Sequence, residues 1–164
     1  MPEIRDHHLA QINIARFRVP MADPVNADFI ANLDRVNAIA EGSPGFVWRL
    51  VGEGGNATDI QAFDDPDVIV NMSTWADIDA LAAFTYRDPA HLEIMRRRKE
   101  WFERMEFAMV LWWVPAGHRP TPAEGKARLE LLRRQGPSED AFTFARPFGP
   151  PGTGQAEPLL DRCA

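Results

Sequence analysis

The stretch Thr85-Tyr86-Arg87-Asp88-Pro89-Ala90-His91 places a tyrosine at a helix break and a histidine one turn into the next helix. Asp88 suits an N-cap and Pro89 the first helical position. His91 then lies near the positive end of a helix, which lowers its pKa and favours the neutral imidazole that acts as base or ligand. Tyr86, the single tyrosine of the chain, offers a hydroxyl that can donate to a substrate oxygen. Each has a structural alternative: a histidine satisfied by a backbone carbonyl or a glutamate, and an aromatic plug with its hydroxyl satisfied. His118-Arg119, in the loop AGHRPTPAEG, can bind an anion or simply bond the last carbonyls of the strand before it. His7-His8 could chelate a metal only with distant ligands, and no metal site is expected.

Motifs that would name other chemistry are missing. The chain has no HExxH, CxxC, glycine-rich phosphate loop or GxSxG, so metalloprotease, redox-disulfide, nucleotide-binding and hydrolase readings lose support. Gly54-Gly55 lacks the strand-to-helix setting of a dinucleotide fingerprint. A net charge of −6 argues against nucleic acid as a partner. The run Arg96-Arg97-Arg98-Lys99 is followed by Glu100, Glu103 and Glu106 and reads as a solvated helix face. No window approaches a membrane span. Cys163 is the single cysteine, so no intramolecular disulfide forms, and the charged N-terminus has no apolar signal core. The expected location is cytoplasmic.

One hundred and sixty-four residues, 45% hydrophobic and 26% charged, make one soluble domain with a core. Leu9 to Arg18 alternates as a strand, with Ile12 and Ile14 on one face and Gln11 and Asn13 on the other. Asp23-Pro24 opens a helix carrying Phe29, Leu33, Val36 and Ala40, which Gly42-Ser43-Pro44-Gly45 stops. Phe46, Trp48 and Leu50 form one face of a second strand. Thr58 to Phe63 is read as a short extra strand. Val68 to Trp75 is a strand by its β-branched content, and Thr74 with Asp77 resembles a capping box for the next helix. Helical structure restarts at Asp88-Pro89. Phe107 to Val114 is a strand, and Thr121-Pro122-Ala123-Glu124 starts a further helix ending at Gln135-Gly136. Ala141 to Phe144 reads as a last short strand. The domain covers 1–146, and the Pro/Gly-rich tail, 147–164, is expected to be disordered or loosely docked.

The order strand, helix, strand, strand, helix, strand is the ferredoxin-like βαββαβ plan, α+β with an antiparallel sheet and helices on one face. An appended C-terminal helix and a flexible tail follow. Trp112 and Trp113 must point to opposite sides, so one large aromatic needs cover on the face away from the helices. Two sheets packing face to face in a homodimer would supply it.

The segments HLAQINIAR, SPGFVWRL, GNATDI, VNMSTWADIDAL, FTYRDPAHLEIMRRRKEWF and LWWVPAGHRPTPAEGKARLELL closely resemble the family known as domain of unknown function 3291. The resemblance runs from Leu9 to about Phe144. It implies the dimeric α+β barrel superfamily, which includes antibiotic-biosynthesis-type monooxygenases, haem-degrading oxygenases and related lyases and isomerases. It further implies a pocket lined by an asparagine of the first strand, a tryptophan ending the third and a histidine of the later helix, here Asn13, Trp75 and His91. The interval from Trp75 to His91 is longer than in the haem-degrading branch.

Three readings follow. In the first, a cofactor-independent oxygenase, cyclase or isomerase holds an aromatic or polyketide-like substrate. Gln11 and Asn13 orient it, His91 is the acid or base, Tyr86 donates, and Trp75, Trp48 and Trp113 form walls, with His118 and Arg119 as further contacts. In the second, His91 ligates haem. In the third, the chain is a non-catalytic ligand-binding or dimerisation module.

Overall fold

The computed structural model describes residues 5–52, 57–58, 60–105 and 108–158. Its elements are β1 (His7–Arg16), α1 (Ala27–Glu41), β2 (Phe46–Arg49), β3 (Val68–Trp75), α2 (Ile78–Arg87), α3 (Pro89–Arg97), β4 (Met109–Pro115) and α4 (Pro122–Gln135). The strands form one antiparallel sheet in the order β2-β3-β1-β4. This is the ferredoxin-like order expected from the sequence. No helix among the described residues is long and apolar enough to cross a membrane.

The helices start where local chemistry places them. Asp88 accepts from the His91 amide at 3.0 Å and caps α3. Thr121 accepts from the Glu124 amide at 3.2 Å, with Pro122 at the first position of α4. The start of α2 differs from the sequence reading. Asp77 is the cap, accepting from the Ala80 amide, whereas Thr74 is a buried strand residue three positions earlier.

Both faces of the sheet are covered from within the chain. Ala10, Ile12 and Ile14 of β1 join Val70, Met72, Val110 and Trp112 against Leu129 and Leu132 of α4. Leu9, Trp75 and Leu111 on the other face meet Ala40 of α1 and Ile78, Leu81 and Ala82 of α2. Trp112 is thus buried by α4, and the cover that the sequence reading assigned to a second copy is supplied by the appended helix. Contact here is close because residue 125 is glycine. A Cβ there would come within 2.7 Å of Ile12 Cδ1 and 3.2 Å of Met72 Sδ. Gly125→Val is expected to lower stability by roughly 2–3 kcal/mol, since overpacking outweighs a few tenths gained in helix propensity. A urea melt checks this; an unchanged midpoint would mean that α4 does not press on β1 and β3.

Three strand expectations change. A bulge between Phe46 and Trp48 breaks the alternation of β2, so the two rings lie on opposite faces instead of one. Phe46 packs on Trp75, with ring centroids 5.4 Å apart, while Trp48 and Leu50 join the α4 side. The described part of 58–63 forms no strand. Ala141 to Phe144 forms no strand but takes part in two isolated bridges, Phe142 with Leu111 and Ala141 with Ser138. The stretches holding Gly54-Gly55, part of GNATDI, Phe107 and Cys163 lie outside the described residues. The tail folds back as far as it is described: Phe148 bridges Gln155, and the Ala156 amide donates to the Pro147 carbonyl at 2.9 Å.

Candidate functional site

On the sheet face that α1 and α2 cover, the register lines residues up in rows. Trp75, Leu9 and Trp113 form the first row, Ser73, Gln11 and Leu111 the second, and Asn71, Asn13 and Met109 the third. The first row is apolar. The next two carry four polar side chains on two central strands, where a sheet packed against helices ordinarily has hydrophobic residues.

These side chains bond to one another. Gln11 Nε2 donates to Asn71 Oδ1 and to Ser73 Oγ, both at 2.8 Å. Asn13 Nδ2 donates to Gln11 Oε1 at 3.2 Å and to Asn71 Oδ1 at 3.3 Å. Trp75 Nε1 donates to Ser73 Oγ at 2.9 Å. Burial falls along the strip: Gln11 is 2% exposed, Asn13 is half-buried and Asn71 is exposed. Solvent therefore reaches the strip at the Asn13–Asn71 row, while Gln11 stays buried.

Aromatic clusters stand at both ends. Beyond the first row, Trp75 stacks on Phe84 with centroids 5.4 Å apart, and Phe84 lies 4.9 Å from the His91 ring. At the other end Ile69 and Phe102 pack against the cluster of Phe17, Phe29 and Trp101. Ile94 of α3 joins that second cluster, while His91, one turn earlier, meets Phe84 of the first. Helix α3 thus bridges the two, and none of its residues is fully buried. It is tied to α1 by Arg97 and Asp28, 3.0 Å apart.

His91 Nδ1 lies 2.8 Å from the Thr85 carbonyl oxygen. The carbonyl accepts, so Nδ1 carries the proton and Nε2 keeps its lone pair. Burial pushes the imidazole pKa below its ordinary 6.5, against smaller upward effects of the Thr85 bond and the nearby Asp88 carboxylate. The ring is therefore neutral at pH 7. The consequence for stability has a definite sign. With the folded pKa depressed, the neutral ring's contribution is fully present above 6.5 and is lost as pH falls through the folded value. Thermal midpoints from pH 8 to 5 should fall more steeply for the wild type than for His91→Gln. Parallel curves would show that the ring is not buried as described.

The candidate residues separate into groups. Gln11, Asn13 and Trp75 share one bonded strip, and His91 joins it through Phe84. Tyr86 packs edge-on against Phe144, 5.3 Å away, within the cluster around Trp75. Trp113 lies on the same face, but its Nε1 donates to the Phe148 carbonyl at 2.9 Å, pinning the tail. Trp48 lies across the sheet from the strip because of the bulge in β2. His118 Nε2 is 2.9 Å from Glu124, beside the start of α4, and Arg119 is exposed; neither joins the strip. Asn71, Ser73 and Phe84 were not singled out from the sequence. A signal existed: in β3 the polar Asn71 and Ser73 alternate with the apolar Val70 and Met72, at the same spacing as Gln11 and Asn13 in β1. Among the described residues no group of three or more His, Cys, Asp or Glu could hold a metal ion.

The family described as Domain of unknown function (DUF3291) matches residues 8–158. The chain belongs to that family. No curated protein matches it. Solved structures similar to this DUF3291 chain include a provisionally named antibiotic biosynthesis monooxygenase from Nitrosomonas europaea, 14% identical, covering 72% of this chain and 98% of that one at a TM-score of 0.48. SnoaB, a cofactor-independent oxygenase from Streptomyces nogalater, is 19% identical, with 71% and 97% covered and a TM-score of 0.43. Rv0793 from Mycobacterium tuberculosis is 14% identical, with 70% and 99% covered and a TM-score of 0.47. At such identities the likeness concerns the fold alone, and the fold rests on the strand order itself.

Proposed function

We propose that the DUF3291 chain is a small-molecule enzyme whose active site is a cleft over the Gln11–Asn13–Asn71–Ser73 strip. Its substrate is aromatic or polyketide-like, and its chemistry is of the cofactor-independent oxygenase, cyclase or isomerase type. One observation carries this reading: a bonded polar strip open to solvent on an apolar, helix-covered sheet face, with a neutral histidine linked to its Trp75 end through Phe84. The aromatic clusters at either end suit a flat ring. His91 Nε2 removes a proton from a phenol or an enolisable carbon, and the Asn71 Nδ2 protons, the amide donors that the strip's own bonds leave over, hold the oxygen on which negative charge collects. That step is shared by all three reaction types. Deuterium exchange into enolisable ketones, together with dioxygen uptake by phenols, tests it. Asn71→Ala, which removes those donors, is expected to slow the reaction at least about tenfold. If no compound of either class turns over and variants change stability alone, the chain is a binding module.

A second reading, haem held by His91, is favoured by the Nδ1–Thr85 bond, which leaves Nε2 free to ligate iron. It requires a Soret band on adding haemin that His91→Ala abolishes. Assembly as a homodimer is a separate proposal, checked by sedimentation.

A further inference from the structure

The bonds within the strip leave a definite remainder of donors and acceptors. Both protons of Asn13 Nδ2 are engaged, by Gln11 Oε1 and Asn71 Oδ1, so Asn13 has only its Oδ1 left, an acceptor. Asn71 Oδ1 already accepts twice, from Gln11 and Asn13, so Asn71 has only its Nδ2 protons left, which are donors. Both groups reach solvent. Asn71 is exposed, and Asn13 Oδ1 is not among the buried side-chain atoms without a partner. The two residues sit directly opposite each other on β3 and β1, with side chains on one face. The polarity is set from the buried end. The Trp75 indole can only donate, so Ser73 Oγ accepts from it, and Gln11 turns its amide nitrogen towards Ser73 and Asn71.

We infer that the Asn13–Asn71 pair reads the edge of a planar, uncharged ligand that carries a carbonyl oxygen and, on the neighbouring atom, an N–H or O–H. The carbonyl takes the Asn71 N–H, and the ligand donor meets Asn13 Oδ1. A carboxylate fits poorly, because it would set a second acceptor against Asn13 Oδ1 and no cation bonds to the strip among the described residues. A ring ketone without a neighbouring donor leaves Asn13 Oδ1 desolvated and unpaired. This specificity rests on the reading of the cleft as the small-molecule site, and it narrows that site's ligand class.

Three bicyclic probes of nearly equal size separate the cases: 2-quinolone, its N-methyl derivative and coumarin. Each is titrated into the isotope-labelled protein while the side-chain amide signals of Gln11, Asn13 and Asn71 are followed. The expected result is that 2-quinolone shifts all three amides and that the other two bind about tenfold more weakly or worse. Asn71→Asp, at an exposed position that does not threaten folding, should weaken 2-quinolone binding about tenfold by removing both N–H donors. Equal binding of all three probes at the same amides overturns the edge reading and leaves the cleft as the site. Undiminished binding of 2-quinolone to Asn71→Asp also overturns it. If no probe moves these amides, the cleft assignment fails as well.

Discussion

Replacing Gln11 with glutamate is expected to cost about 2–4 kcal/mol of stability at pH 8 and to close the cleft to ligands. The change exchanges one NH2 for one oxygen, so volume plays no part. Gln11 is 2% exposed and donates to two acceptors, Asn71 Oδ1 and Ser73 Oγ. A carboxylate there loses both donations, faces an acceptor at Asn71, and has no cationic partner among the described residues. Its pKa rises in the fold, so the destabilisation is present at high pH and lessens as pH falls and the carboxyl gains a proton. Urea melts at pH 8 and pH 5, each taken as the difference from wild type, read this directly. Wild-type stability itself falls towards pH 5 through His91, which is why the difference matters. A variant as stable as wild type at both values would mean that Gln11 is not the buried centre of the strip.

The second large effect belongs to His91. On the proposed reading its Nε2 moves the proton, and His91→Ala should lower kcat by about 100- to 10,000-fold with little change in KM. The same variant also loses the 2.8 Å bond to the Thr85 carbonyl and the contact with Phe84, so a melt must accompany the kinetics. His91→Gln keeps a donor for Thr85 without a basic nitrogen and should be equally inactive. An active His91→Gln would reduce His91 to the clasp between α2 and α3.

The sequence made the order of elements legible because each carries a local signal. The Asp88-Pro89 start of α3, the Thr121-Pro122-Ala123-Glu124 start of α4 and the alternation of β1 each depend on a few neighbouring residues. What it did not show depends on register or packing. That Asn71 stands opposite Asn13 follows from how β1 and β3 align, which neither strand encodes alone. That α4 buries Trp112 depends on Gly125 meeting Ile12, residues more than a hundred positions apart. The bulge in β2 separated Phe46 from Trp48 because one extra residue reverses the sides of a strand. The candidate site was legible only in part. Gln11, Asn13 and Trp75 share the strip, and His91 reaches its Trp75 end through Phe84. Asn71 and Ser73 carried a polar alternation that gains meaning only beside β1, and Tyr86 shares only the neighbouring aromatic cluster.

Soaking crystals of the protein with a set of small planar aromatic carbonyl compounds tests the central claim most directly. Bound density above Asn13 and Asn71, with the carbonyl on the Asn71 amide, is the expected result. Ligands gathered only on the α4 side, beside Trp48 and Trp112, or a strip that no compound enters, would contradict the assignment of the cleft.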